Sequence, residues 1–374
     1  MCLSFWFAVL TEFIIAFFIP QYRDPFLFDP IIGTREQPGE FLIYNNDGII
    51  PKFVNEAGFV DDEWEKQKPP GHMRIAVLGD SFVEAWQVPN SDDFESKLEK
   101  LFKDNGTNVD VLNFGMRGMG TYQEYATLIH YALPYDLDLV IVAAYLSNDV
   151  RDNSPFLGDA PAQPYLVREH DSERIIPPVN PARGFPFDFF KRHLHSYRWL
   201  VSEYYETKQY VETFGKPAGS AIVPQGGIPA WFEIYHDASQ EKKEWIDAWQ
   251  TTKELFRRIE TAASDHSIPL LVLMVPARYE IDPAAIPHML EKRKARFPEA
   301  HLAPYNPTIP RVKGNALFEE LSMRVIDLHN EFYNRFMRGE EIYAPGDNQH
   351  VGLHGHEVIA NILYQTIIDS RLLE

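Results

Sequence analysis

The sequence is almost without cysteine and poor in positive charge, and both shortages limit what the protein can do. Cys2 is the only cysteine among 374 residues, so no disulfide framework and no cysteine-based zinc or redox motif can form. The 35 Lys and Arg residues face 54 Asp and Glu residues, which gives a formal net charge of −19. Binding to nucleic acid needs clustered Lys and Arg, so we predict no nucleic-acid partner and expect a small or neutral one.

Apolar residues are abundant by contrast, and one apolar run lies at the N-terminus. Residues 3–19 contain only Ser4, Thr11 and Glu12 as polar residues, and these 17 residues fall slightly short of the ~20 that span a bilayer. The run lacks the basic start and the small-residue cleavage site of a signal peptide. We therefore predict a membrane anchor over residues 1–22, with a cleaved signal peptide or a buried helix as alternatives.

From residue 73 onward, short apolar runs alternate with helical patterns, which is typical of a parallel sheet with helices on both faces. The predicted strands are 73–78, 109–113, 138–144, 269–275 and 324–327. The predicted helices are 92–103, 121–131, about 187–212, 239–265 and 358–367.

Two stretches interrupt this alternation. Residues 23–72 are rich in Pro, Gly and Asp without a sustained period, so we expect an extended arm that wraps the globular domain, with a turn at 55–59. Residues from about 150 to 237 carry many prolines and predict a long irregular insertion. Its aromatic part, 185–210, is interpreted as a helix that packs on the core, with a substrate lid as the alternative. The main domain is predicted to cover residues 73–374.

The first predicted strand ends in the tripeptide Gly79-Asp80-Ser81. Gly79 allows a tight turn, so the Ser81 hydroxyl can stand at the carboxyl edge of the sheet, where open α/β sheets bind ligands. An ordinary turn that caps the next helix is the competing interpretation. Further polar or glycine-rich stretches follow the second and third strands or precede the last helix, at 113–121, 145–149 and 347–350.

In this order, the four stretches resemble the blocks of the SGNH hydrolases, also called the GDSL esterase and lipase family. That family has a Gly-Asp-Ser block, a glycine block, an asparagine block and a final Asp-x-x-His block. The resemblance covers about residues 73–370. It implies a three-layer α/β/α fold with a five-stranded parallel sheet of flavodoxin-like strand order.

The resemblance also implies a role for one residue or more in each block. Ser81 would be the nucleophile, and His350 would be the base supported by Asp347. Gly118 and Asn148 would form the oxyanion hole together with the backbone N–H of Ser81.

Elementary chemistry agrees with these roles. A serine hydroxyl is a poor nucleophile at neutral pH, and an imidazole with a reference pKa near 6.5 suits the task of activating it. A carboxylate three residues before the histidine can turn back and hold the imidazole in the useful tautomer. The alkoxide formed on attack needs fixed donors, each typically worth ~2.7–4 kcal/mol.

Some of these residues also have plainer interpretations. Gly115 competes with Gly118 as the oxyanion glycine, and Asn148 could instead cap a helix or bond a turn. Asp80 is interpreted as a structural residue that bonds the turn beside Ser81.

A metal site at the last block is the remaining alternative. Asp347 and His350 have two more histidines nearby, His354 and His356. His356 follows a glycine and is interpreted as the start of the closing helix, and no fourth ligand is evident. We therefore predict neither a metal nor a cofactor.

The predicted function is a serine hydrolase that cleaves carboxylic esters through an acyl-Ser81 intermediate, as an esterase, lipase or carbohydrate O-deacetylase. One alternative is an O-acyltransferase that acts on envelope glycans, and another is a catalytically silent glycan-binding protein. The expected partner is a small-molecule or glycan ester. The domain is expected outside the cytoplasm, in the cell envelope, tethered by a single membrane segment.

Overall fold

The computed structural model describes residues 26–45, 49–158, 163–169, 172–180, 230–293, 304–345 and 349–373, with isolated positions 6, 10–12, 194, 196, 197 and 200. The described strands are β1 (Phe26–Asp29), β2 (Gly33–Glu36), β3 (Phe41–Asn45), β4 (Ile49–Phe53), β5 (Met73–Gly79), β6 (Val109–Gly115), β7 (Leu139–Ala144), β8 (Tyr165–Glu169), β9 (Ser172–Ile176), β10 (Leu270–Met274) and β11 (Val325–Asp327).

The described α-helices are α1 (Ser81–Glu84), α2 (Phe94–Asp104), α3 (Thr121–Thr127), α4 (Leu146–Asp152), α5 (Ala230–Glu233), α6 (Lys243–Asp265), α7 (Arg278–Ile281), α8 (Ala285–Arg293), α9 (Ile309–Glu320), α10 (His329–Met337) and α11 (Leu353–Asp369). Short 3₁₀ turns cover Asn90–Asp92, Leu133–Tyr135 and Asp237–Glu241, and a π-helical turn covers Leu128–Ala132.

Five parallel strands form the central sheet, in the order β11-β10-β7-β5-β6. Counted in the order in which the chain forms them, this is 2-1-3-4-5, the flavodoxin-like order. The middle strands β5 and β7 are buried almost throughout, because helices cover both faces of the sheet. The predicted three-layer α/β fold with its parallel sheet is confirmed, and each predicted strand end lies within two residues of the observed one.

The helical layers follow the apolar periodicity of the sequence. Helix α2 packs against α11, where the rings of Phe102 and Tyr364 lie 5.0 Å apart. Helix α6 packs against α3 and α4 and buries Trp245 and Leu255, as the periodicity predicted. It begins at Lys243 rather than at 239, because a 3₁₀ turn precedes it. The predicted helix near 187–212 lies outside the described residues except for a few isolated positions.

The N-terminal arm contains more regular structure than the sequence indicated. Strands β1 and β2 form one antiparallel pair, and β3 and β4 form another. The prediction missed these strands because they lie among many Pro, Gly and Asp residues, which indicated turns and an extended arm. The predicted turn is confirmed, since the Asn55 carbonyl accepts a hydrogen bond from the Gly58 N–H at 2.9 Å. Beyond the turn, Phe59 is fully buried and packs edge-on against Phe114 of the sheet.

The hydrophobic run that predicted an anchor lies mostly outside the described residues. Among the residues that are described, no helix is both long enough and apolar enough to cross a membrane.

Candidate active site

The turn after β5 brings Ser81 to the carboxyl edge of the sheet. Ser81 begins the four-residue helix α1, and Asp80 caps this helix by accepting the Phe82 N–H at 2.9 Å. The helix lies so close to the strand ends that two glycines are needed there. A Cβ on Gly79 would lie 2.4 Å from Val83 Cγ2, and one on Gly115 would lie 2.4 Å from the Glu84 nitrogen. The glycines at the ends of β5 and β6 therefore allow α1, which begins at Ser81, to pack closely against these strands.

Ser81 and His350 lie within hydrogen-bonding distance, with 2.9 Å between Ser81 Oγ and His350 Nε2. The His350 ring is flanked by Phe82, at 5.1 Å between ring centroids, and by Trp86, at 5.3 Å. The backbone carbonyl of His350 accepts the Ala344 N–H at 3.0 Å, and this hydrogen bond holds the backbone of His350 in place. A base in this position can accept the hydroxyl proton directly.

Asp347 lies outside the described residues, so its support of His350 stays a prediction.

Gly118 occupies the loop after β6 in a left-handed conformation, with φ of +74°, which glycine adopts at little cost. Its carbonyl accepts a hydrogen bond from the side chain of Gln163, a residue of the insertion. The competing Gly115 is the last residue of β6, and its N–H donates to Asn113 Oδ1 at 2.9 Å. Of the two glycines, only Gly118 lies in the loop beyond the strand.

Asn148 belongs to the first turn of α4, whose N-cap position is Tyr145. Its side-chain Nδ2 donates a hydrogen bond to Asp80 Oδ2 at 2.5 Å. The amide therefore lies beside the residue that precedes the serine, and one of its two hydrogens points to that carboxylate. The second amide hydrogen leaves one donor for the predicted oxyanion role of Asn148.

Asp80 is fully buried, and this burial raises the pKa of its carboxyl to about 6. The hydrogen bonds from Phe82 and Asn148 and the nearby His350 lower this pKa, whereas Asp152 raises it. At neutral pH the carboxyl is mostly ionised. An ionised Asp80 holds the Asn148 amide with a charge-assisted hydrogen bond, which is stronger than a neutral one.

The other two histidines of the last block do not contact the Ser81–His350 pair. His356 is buried in α11, where its Nδ1 accepts the Phe94 N–H at 3.1 Å. Burial lowers the pKa of His356 to about 3, so this ring is neutral. His354 lies 3.0 Å from Glu340 on the outer side of the helix. Within the described part of the chain, no group of three or more His, Cys, Asp or Glu side chains is arranged to hold a metal.

Sequence reasoning missed two residues of the site. Trp86 is half-buried beside His350, and its place five residues after Ser81 in the same block could have drawn attention to it. Gln163 contacts Gly118 from a proline-rich insertion without a readable pattern, so no sequence signal pointed to it.

Comparison with known proteins gives similarities at the level of structure. No family model and no curated protein matches the sequence. The acetyl xylan esterase AlAXEase is 10% identical, with a TM-score of 0.42 over 79% of this chain and 100% of that chain. A lipolytic protein of the G-D-S-L family from Veillonella parvula is 10% identical, with a TM-score of 0.38 over 78% of this chain and 97% of that chain. A lipase/acylhydrolase from Enterococcus faecalis is 14% identical, with a TM-score of 0.37 over 79% of this chain and 95% of that chain.

The class of fold follows from features of this chain. The four blocks occur in order, the sheet has the order 2-1-3-4-5, and Ser81 and His350 meet at its carboxyl edge. These features agree with the three-layer α/β/α fold that the resemblance to the SGNH, or GDSL, hydrolases implies.

Proposed function

We propose that this protein is a serine hydrolase that cleaves carboxylic esters through an acyl-enzyme intermediate on Ser81. The observation that carries the proposal is the 2.9 Å distance between Ser81 Oγ and His350 Nε2. A base within hydrogen-bonding distance can take the proton of a serine hydroxyl and so make it a nucleophile. A serine without a catalytic role does not require a base at this distance.

The geometry supports a two-step reaction. Ser81 Oγ attacks the ester carbonyl carbon while its proton passes to His350 Nε2, and the resulting oxyanion is stabilised by the N–H groups of Ser81 and Gly118 and by the Asn148 amide. The C–O bond to the alcohol then breaks, and the alcohol takes the proton from His350. Water attacks the acyl-Ser81 ester with the same base, which releases the acid and restores the serine. In this scheme Asp347 would orient the imidazole.

The proposed substrate is a small-molecule or glycan ester rather than a polyanion. The net charge of −19 repels anionic polymers. Beside the base, the half-buried Trp86 offers an aromatic surface on which a sugar ring or an acyl chain could pack.

Labelling of the full-length protein with a fluorophosphonate probe tests the proposal. We expect the wild type to be labelled, Ser81→Ala to remain unlabelled, and Ser91→Ala to be labelled like the wild type. Ser91 is a suitable control because it is an exposed serine of a 3₁₀ turn. An unlabelled wild-type protein that turns over no activated ester would contradict the proposal and favour a silent binding protein.

Product analysis then separates the two enzymatic alternatives. In the presence of glycan acceptors, a hydrolase releases the free acid, whereas an O-acyltransferase gives the acylated glycan.

A further inference from the structure

Two buried carboxylates from different parts of the chain bind Arg117, the residue just before Gly118. Glu84, at the end of α1, accepts the Arg117 backbone N–H at 2.5 Å and also contacts its guanidinium. Glu36, in β2 of the arm, accepts a hydrogen bond from the same guanidinium at 2.9 Å. The ring of Phe26, in β1, lies 5.0 Å from the centre of this guanidinium. Arg117 therefore contacts both the N-terminal arm and α1, the helix that begins at Ser81.

These contacts are more deeply buried than ordinary surface ion pairs. The side chains of Glu84 and Glu36 are 0% and 1% exposed, whereas that of Arg117 is 25% exposed. Buried charged hydrogen bonds of this kind are costly to break, because the remaining charge has no access to water. They hold their partners in one geometry.

The position of this cluster connects it to the proposed chemistry. Glu84 lies three residues after Ser81 on a single helical turn, and the backbone N–H that it accepts belongs to the peptide unit preceding Arg117. A second tie runs parallel to it, since the Asn113 side chain donates to the Val83 carbonyl at 2.7 Å. Hydrogen bonds from α1 thus reach both the end of β6 and the residue that precedes Gly118.

We propose that Glu84, and Glu36 acting through Arg117, are positioning residues that hold the Gly118 loop at its working distance from Ser81. This inference rests on the proposed function, because it assumes that Gly118 donates to the oxyanion. It also gives the N-terminal arm a part in catalysis, beyond its role as a connection to the hydrophobic segment.

A purely structural role for the cluster predicts a different kinetic result. An oxyanion donor acts on the transition state, so its displacement lowers kcat and leaves KM nearly unchanged. Loss of a merely stabilising ion pair lowers the melting temperature and leaves kcat of the folded protein intact. The two roles are therefore separated by kinetics and stability measured on the same preparation.

Glu36→Gln is the most informative variant. It removes the charge from the arm and keeps the volume, while Arg117 retains Glu84 as a partner. Removing Arg117 instead would leave the buried Glu36 and Glu84 close together without the guanidinium that contacts both. Burial and the nearby Glu36 already raise the pKa of Glu84 well above its usual range, so that variant risks misfolding.

Arg35→Gln is the matched control on the neighbouring residue of the same strand. The half-buried Arg35 also makes contacts in the arm, to Asp29 at 3.4 Å, to the Ala57 carbonyl at 2.8 Å and to the Tyr131 ring. These contacts join the arm to itself and to the π-helical turn, and none reaches Gly118.

The test uses the full-length protein and an activated short-chain ester. We expect Glu36→Gln to lower kcat about tenfold and Glu84→Gln to lower it about a hundredfold, with KM changed by less than about twofold, since a 1 Å misplacement can cost about a hundredfold. Amide hydrogen exchange of residues 116–119 should become faster in both variants. Arg35→Gln should lose stability comparable to that lost by Glu36→Gln and should keep the wild-type kcat.

Each outcome has a separate meaning. A wild type without esterase activity or probe labelling overturns the proposed function together with this inference. An active wild type whose Glu36→Gln variant keeps both kcat and the exchange rates of the loop overturns the positioning role alone. The positioning role is likewise overturned if Glu36→Gln loses only stability, as Arg35→Gln does. If Glu84→Gln fails to fold, Glu36→Gln decides the matter by itself.

Discussion

The side chain of Asn148 donates to the carboxylate of Asp80, with 2.5 Å between Nδ2 and Oδ2, although 68 residues separate them. The other oxygen of the same carboxylate accepts the Phe82 N–H and so caps the serine helix. One buried acid thus contacts both the turn that carries the proposed nucleophile and the amide proposed to stabilise the oxyanion. This arrangement determines which substitutions test the site cleanly.

Asn148→Ala should lower kcat by ~10²–10³ with little change in KM, because the lost donor acts on the transition state. The variant should also lose about 1–3 kcal/mol of stability, since the buried Asp80 loses a hydrogen-bond donor. Steady-state kinetics and urea denaturation on one preparation check both numbers. A folded Asn148→Ala protein with wild-type kcat would contradict the oxyanion role.

Exchanging Asp80 and Asn148 with each other separates the structural effect of Asn148 from its catalytic effect. Asn148→Asp sets two carboxyl groups against each other, so it should destabilise the protein whatever its role in catalysis. The double variant Asp80→Asn with Asn148→Asp restores the hydrogen bond with donor and acceptor reversed. We expect the double variant to recover much of the stability but not kcat, because a carboxylate then faces the oxyanion. Recovery of both would argue against the oxyanion assignment.

The raised pKa of Asp80 predicts a pH dependence of stability. An aspartate has a pKa near 3.9 when unfolded, whereas that of Asp80 is about 6 in the folded protein. Between these values the folded state binds more protons, so the contribution of Asp80 to the free energy of unfolding falls as the pH rises from about 4 to about 6. Asp80→Asn removes this contribution. Relative to the wild type, the variant should therefore gain stability between about pH 4 and pH 7, on the order of 2–3 kcal/mol.

Urea denaturation of both proteins at the two pH values measures this difference. Asp93, whose pKa burial also raises to about 6, is present in both proteins and cancels in the comparison. A difference in unfolding free energy that is the same at both pH values would show that Asp80 titrates normally.

The two neighbouring histidines should respond in opposite ways to substitution. His350→Ala should abolish ester turnover and leave the melting temperature nearly unchanged, because the side chain is partly exposed and its proposed task is proton transfer. His356→Ala should cost about 2–5 kcal/mol, since it opens a cavity and leaves the Phe94 N–H without its acceptor. Its folded fraction should retain kcat. Turnover by His350→Ala at the wild-type rate would refute the base assignment.

Gly115→Ala should disturb both folding and activity, because the new Cβ would lie 2.4 Å from the Glu84 nitrogen and push α1 away from the sheet. Gly106→Ala is the control, since its Cβ would meet nothing within 4 Å and only its φ of +82° opposes the change. We expect the control to lose about 1 kcal/mol and to keep kcat. Equal kinetics in the two variants would show that the close approach of α1 does not matter for the site.

Local patterns were sufficient to predict the core of the fold. The runs at 73–78 and 138–144 are apolar because both faces of these strands are covered, and such a signal is readable over six or seven residues. The same reasoning predicted α6 through its buried tryptophans, and it predicted Ser81 at a strand end. It failed for the arm, where β1 pairs with β2 and β3 pairs with β4 among residues rich in Pro, Gly and Asp.

The sequence by itself determined which residue types follow which strands, and hence that Ser81, Gly118 and Asn148 would gather at one edge of a parallel sheet. Only the tertiary structure decided their partners. His350 meets Ser81 across 269 residues, and Glu36 meets Arg117 across 81 residues. Such pairs depend on the strand order and on how the loops pack over the sheet. Neither of these produces a periodic pattern in the amino-acid sequence. The physical reason is that burial and periodicity are local properties, whereas a hydrogen bond between distant side chains belongs to the assembled fold.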